Sequence, residues 1–261
     1  DHEPDWDYAR EVKRKLIAGI VEAKAKLQPA RLRVGATVAN ANINRRSRDP
    51  QGKVYLGLNP DGPVDRQVGL LRLDRADGTP IALIANYAMH GTVLGGKNQL
   101  ISGDAPGVVA AYVEEKLGAP MLFVNGATGD IAPIYSVYDD FKRVRIAEFN
   151  VLLGDRIVAA MNTLPAAATP LKLEAAEEVL ETPLKAGLQW PEEIAAYLSP
   201  QGMVRLPLRY LRINKDTALW AAPLELCCEI AMDVRARSKV KNTFYFGYAN
   251  GWLGYLPTKK A

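Results

Sequence analysis

The chain has 261 residues, 48% hydrophobic and 24% charged, a globular composition with enough length to bury its own core. Its 33 basic and 29 acidic residues give a formal net charge of +4 and are mixed along the chain. Nucleic-acid binders cluster their positive charge, so that class of partner is excluded. No run approaches the ~20 apolar residues of a membrane span, and the neighbouring Cys227 and Cys228 supply no disulfide framework.

The first predicted element is an amphipathic helix over 7–27, with Val12, Leu16, Ile17, Ile20 and Ala23 at helical spacing and Pro29 ending it. Arg31 to Val38 alternates as a strand, with Leu32, Val34 and Ala36 on one face. Residues 40–64, rich in Asn, Arg, Gly and Pro, read as a long loop. Val68–Leu73 and Ile81–Tyr87 form a hairpin around Asp77-Gly78; the second strand is apolar and runs into His90-Gly91-Thr92. A helix over 105–117 and a buried strand over 121–124 follow, leading to the turn Asn125 to Asp130.

The spacing then predicts a long helix over 139–162, a strand over 171–182 and a short helix over 191–198. A second hairpin pairs 208–213 with 217–222; a helix over 225–237 and a strand over 243–248 close the chain. Strands and helices alternate while two connections are hairpins, so the expected class is α/β, a mixed β-sheet core covered by helices. The start in a helix approach, without a signal peptide at Asp1, and the end just after a turn read as a fragment: one partial domain over 1–261, truncated at both ends.

Side chains at the ends of buried strands are where such sheets meet ligands. Four places qualify: His90, Asp130 in its glycine-rich turn, Glu225 after Leu219–Ala222 and Pro223, and Tyr255 after 244–248 and Ala249-Asn250-Gly251. Helix capping is an equal account of Asp130 and Glu225, and a half-buried aromatic an equal account of Tyr255. The other histidine, His2, belongs to a polar terminus.

Six motifs in order resemble one family. They are Asn42-Ile43-Asn44-Arg45-Arg46; Asn59-Pro60-Asp61-Gly62-Pro63-Val64-Asp65; Asn86-Tyr87-Ala88-Met89-His90-Gly91-Thr92 with Ile101-Ser102-Gly103-Asp104; Gly126 to Pro133; Pro223-Leu224-Glu225; and Ala249 to Tyr255. Together they resemble the neutral/alkaline, non-lysosomal ceramidases and their bacterial relatives, from about residue 27 onward. The resemblance implies a zinc-dependent hydrolase of an N-acyl amide, ceramide or a related acylated amine, acting through metal-activated water. It implies zinc held by two His, one Glu and one Tyr, of which His90, Glu225 and Tyr255 match three. The remaining His, and a neighbouring catalytic one, belong to a His-rich segment expected upstream of Asp1.

In the same resemblance Arg45 binds the substrate's polar head or steadies an oxyanion, and Asp130, like Asp104, orients ligands. The implied substrate is a small or lipid-like acyl amide, with peripheral membrane contact and a secreted or periplasmic setting for the full-length protein. Two departures stand out: Ala132 replaces the family's Ser and cannot hydrogen-bond, and Leu224 replaces a Gly. They leave open two alternatives: a fold relative that binds without turnover, and a zinc hydrolase of other acyl substrates.

Overall fold

The structure, a computed structural model, describes residues 5–96, 98–136 and 145–259; His2 and the first part of the helix expected over 139–162 lie outside them. Helix α1 (Trp6–Ala25) forms as its periodicity predicts, with the Asp5 carboxylate accepting the Tyr8 N–H at 2.8 Å. Its apolar stripe is uncovered, however: Leu16 is 63% and Ile20 69% exposed. No helix among the described residues is long and apolar enough to cross a membrane.

Strand β1 (Arg31–Val38) leads into β2 (Asn42–Arg48) and β3 (Val54–Asn59), an antiparallel pair where a long loop was expected. Hydropathy misses β2 because its inward positions are asparagines. Asn42 donates to the carbonyls of Asp65 and Ala88 at 2.9 and 2.7 Å, and Asn44 to that of Pro63 at 3.0 Å. Buried amides with partners are tolerated in a strand, yet read as loop in a sequence.

β4 (Gln67–Asp74) and β5 (Pro80–Tyr87) form the predicted hairpin. Helix α2 (Asp104–Leu117) then carries the chain to β6 (Met121–Asn125), which pairs parallel to β5. The first sheet is therefore mixed, in the order β1-β4-β5-β6. β7 (Ile131–Pro133) adds to β2, closing a three-stranded sheet β3-β2-β7. The described part of the expected 139–162 helix is broken into a 3₁₀ turn at Ile146–Glu148, a π turn at Asn150–Gly154 and α3 (Asp155–Met161).

β8 (Glu174–Pro183), β9 (Met203–Asn214), β10 (Thr217–Ala221) and β12 (Asn242–Phe246) make the second mixed sheet, ordered β12-β10-β9-β8, with a 3₁₀ turn at 192–197 inside the predicted short helix. The predicted helix over 225–237 starts later. Glu225–Leu226 is a short strand, β11, and helix α4 spans Cys228–Arg237. β11 pairs parallel to β13 (Tyr255–Leu256).

These elements stack as helices, first sheet, second sheet. Val68, Leu70, Leu83, Tyr87 and Met89 pack under Val109, Val113, Phe149, Leu153 and Ile157 of the helical layer. Leu32, Val34 and Leu71 meet Ile213 and Phe244 between the sheets. Each such side chain contributes roughly 1.5–3 kcal/mol on burial. Both sheets thus deliver strand ends to one edge of the molecule, where β5, β6, β11 and β12 terminate.

Candidate active site at the strand ends

His90 follows β5 and is placed from both sides. Its Nδ1–H donates to the carbonyl of Ile131 at 2.8 Å, which leaves Nε2 as the nitrogen with a free lone pair. The loop after it is pinned by Asp104, whose carboxylate accepts the N–H groups of Val93 and Leu94, both at 2.9 Å. Burial lowers the pKa of His90, and the nearby Arg45 charge acts in the same direction, so the ring is held neutral.

Glu225 and Tyr255 come together through backbone pairing: they are directly opposite in the β11–β13 register, and the Glu225 N–H donates to Gly254 at 2.9 Å. The turn after β6 presses against this strand. The Gly129 N–H donates to the Leu226 carbonyl at 2.7 Å, and a Cβ on Gly129 would stand 2.6 Å from the Glu225 carbonyl oxygen. Only glycine permits that approach.

The polar tips converge. Glu225 Oε2 lies 3.3 Å from His90 Nε2, and Glu225 Oε1 accepts the Trp252 indole N–H at 3.1 Å. The Tyr255 hydroxyl lies near enough to Glu225 to lower its pKa and accepts from Arg45 at 3.3 Å. Burial alone would raise the Glu225 pKa; its bond to Trp252 and its nearness to Tyr255 and His90 outweigh that and leave it below the ordinary carboxylate range. Arg45 reaches the site from β2, held by Gly129 O at 3.2 Å. Beside it opens a cleft of about 410 Å³ lined by Arg45, Arg46, Val54, Tyr55, Leu56, Gly129 and Tyr255.

Residues 7–134 match the family model for the N-terminal part of the neutral/alkaline non-lysosomal ceramidases. Over these residues, just under half of the chain, the sequence matches the neutral ceramidase family. It is 28% identical over 132 residues to "Neutral ceramidase B" of Dictyostelium discoideum, a match spanning 45% of this chain and 18% of that protein. It is 32% identical over 113 residues to the "Neutral ceramidase" of Mycobacterium tuberculosis, spanning 40% of this chain and 17% of that one. The fold is that of the neutral ceramidase from Pseudomonas aeruginosa, with TM-score 0.68 at 21% identity, covering 92% of this chain and 48% of the other. The chain therefore spans about half the length of the solved family structure, and its matches to the curated family members cover less than a fifth of them.

The structure brings His90, Glu225, Tyr255 and Arg45 together. Asp130 joins that group only through its backbone, whose carbonyl accepts the Arg45 N–H at 2.8 Å, while its carboxylate bonds elsewhere. Its Oδ1 accepts the Cys228 N–H at 2.7 Å, at the start of α4, and its Oδ2 accepts from Asn44 at 3.1 Å. It caps a helix far away in sequence and so locks the turn of Gly129 against β11. Burial raises its pKa, against the pull of the Cys228 N–H.

Three residues have roles that the sequence reading did not give them. Tyr248 donates its hydroxyl to His90 Nε2 at 3.1 Å and lies 3.4 Å from Glu225 Oε2; Thr128 hydrogen-bonds the same phenol; Trp252 holds Glu225. Burial pushes the Tyr248 pKa up to about 12. The sequence pattern puts Tyr248 at the end of a strand, but β12 stops at Phe246 and Tyr248 has φ 56°. A bulky residue in that region costs on the order of 1–3 kcal/mol and tends to be kept at functional sites. No sequence signal announces a left-handed tyrosine.

Proposed function

We propose that this chain carries part of the catalytic centre of a zinc-dependent hydrolase that cleaves N-acyl amides, ceramide or a related acylated lipid amine, the substrate class named by its relatives. The observation that supports it most is the meeting of an imidazole, a carboxylate and a phenol, drawn from three strand ends, beside an arginine that holds the phenol. Among the described residues no three His, Cys, Asp or Glu side chains group together.

The residues fit zinc. His90 already donates through Nδ1, so Nε2 is the free donor, and Glu225 and Tyr255 add oxygens of the kind zinc accepts. Bound there, zinc would polarise an amide carbonyl and bring the pKa of a water to about 7. Trp252 fixes the Glu225 carboxylate, and Ile131 fixes the His90 tautomer. Arg45, already in contact with Tyr255, presents a guanidinium to the developing negative oxygen. The flanking cleft, with Val54 and Leu56 on its wall, offers room for part of an acyl substrate.

Metal analysis of the purified chain, with N-acyl amide hydrolysis by wild type and His90→Ala, tests this reading. Stoichiometric zinc and loss of both metal and turnover in His90→Ala support it. A chain without zinc, or a His90→Ala variant that hydrolyses the amide at the wild-type rate, refutes it. Ala132 favours a second reading, a fold relative that binds without turning over: it is 1% exposed in β7 and brings no hydroxyl to the site. Zinc-free, folded protein that still binds acyl amides would select it.

A further inference from the structure

We infer that Tyr248 is itself a metal donor, forming one face of the site with His90 and Glu225. This rests on the zinc reading above and extends it to a residue that no motif singled out. The geometry carries it. His90 Nε2, Glu225 Oε2 and Tyr248 Oη form a triangle with edges of 3.3, 3.1 and 3.4 Å. Donors about 2.0–2.1 Å from a tetrahedral zinc stand about 3.3–3.4 Å from one another, since a tetrahedron's edge is about 1.6 times its centre-to-vertex distance. The three atoms are therefore spaced as one face of a tetrahedral zinc site.

The surroundings agree. All three side chains are more than half buried, whereas Tyr255 is 48% exposed and its hydroxyl is shared with Arg45. The Tyr248 ring stands edge-on to the imidazole at 80°, so its hydroxyl addresses the ring nitrogen rather than the ring face. Thr128 hydrogen-bonds Tyr248, as Ile131 does His90 and Trp252 does Glu225. Each corner of the triangle thus has an outer partner that aims it, the arrangement ligands adopt around a metal. The left-handed backbone at Tyr248 is what turns its side chain inward. Tyr255, half exposed and held by Arg45, stands outside this face, so a tetrahedral site built on the face keeps its fourth position open.

The test uses the whole 261-residue chain as wild type, Tyr248→Phe and Tyr255→Phe. Zinc affinity is measured by competition with a chromophoric chelator. Cu²⁺ loading then reports a bound phenolate directly, through its phenolate-to-copper charge-transfer absorption. Tyr248→Phe is expected to weaken zinc at least tenfold and to diminish the visible band, with the metal-free far-UV circular dichroism unchanged. A Tyr248→Phe variant that binds zinc within twofold of wild type and keeps the full band overturns the inference alone, leaving Tyr248 as a hydrogen-bond donor in a site whose metal reading stands. A wild-type chain that binds no zinc overturns both.

Discussion

Replacing Gly129 by Ala tests how the site is held together. The added methyl would stand 2.6 Å from the Glu225 carbonyl oxygen and 2.8 Å from the Leu226 carbonyl carbon and oxygen. Ordinary contact begins near 3.4 Å, so the turn and β11 must part by about 0.8 Å. Both sides are backbone, and α4 and the Asp130 carboxylate brace them, so neither yields cheaply. Overpacking of this kind costs about 1–3 kcal/mol, and loss of the 2.7 Å Gly129–Leu226 hydrogen bond adds about 0.5–1.5 kcal/mol. The expected destabilisation is about 2–4 kcal/mol by urea denaturation. Zinc affinity should fall as well, because the displaced strand carries Glu225. Gly107→Ala is the control: it lies inside α2 with no atom within 4 Å of the added Cβ, and should stabilise by about 0.5–1 kcal/mol. A Gly129→Ala protein with wild-type urea midpoint and zinc affinity would refute the idea that this close approach positions Glu225.

Asp130→Ala should cost about 1–3 kcal/mol in the same denaturation experiment, since it strips acceptors from the Cys228 N–H and the Asn44 amide in a buried place; an unchanged midpoint would show the cap to be dispensable. Burial and the neighbouring Asp130 hold the Cys228 thiol far above its usual pKa. Because the folded value is the raised one, its stabilisation is complete below the unfolded thiol pKa of about 8.5 and declines as pH rises beyond it, by at most about 1.4 kcal/mol per pH unit. Denaturation midpoints should therefore fall between about pH 8.5 and 10, less steeply in Cys228→Ala, and thiol reagents should label Cys228 only on unfolding. Equal slopes for the two proteins, or rapid labelling of the native chain, would contradict this account.

Elements with a clear period were legible in advance: α1, the β4–β5 hairpin, α2 and β6 all stand where hydrophobic spacing puts them. The β2–β3 pair was hidden because asparagines occupy its buried positions and make their hydrogen bonds to carbonyls distant in the chain. The start of α4 was misplaced for a related reason. The Pro-Leu-Glu run looks like a helix opening, but Glu225 finds a strand partner in Gly254 and Tyr255, and the helix waits for Cys228, whose N–H Asp130 takes. Of the site, His90, Glu225, Tyr255 and Arg45 stood out in motifs, while the roles of Tyr248, Thr128 and Trp252 did not, because they lie in a backbone turn and in hydrogen bonds between distant segments.

By itself the sequence determined the α/β class, the family resemblance and the strand ends that hold the candidate site, since period, turn residues and motif order are local properties of the chain. The tertiary structure alone decided which tips meet and how they are charged. His90, Glu225 and Tyr248 come within hydrogen-bonding distance only because the ends of β5 and β12 and the start of β11 meet on the same edge. The pKa of each is then set by shared burial and by neighbours remote in sequence, which no local pattern records.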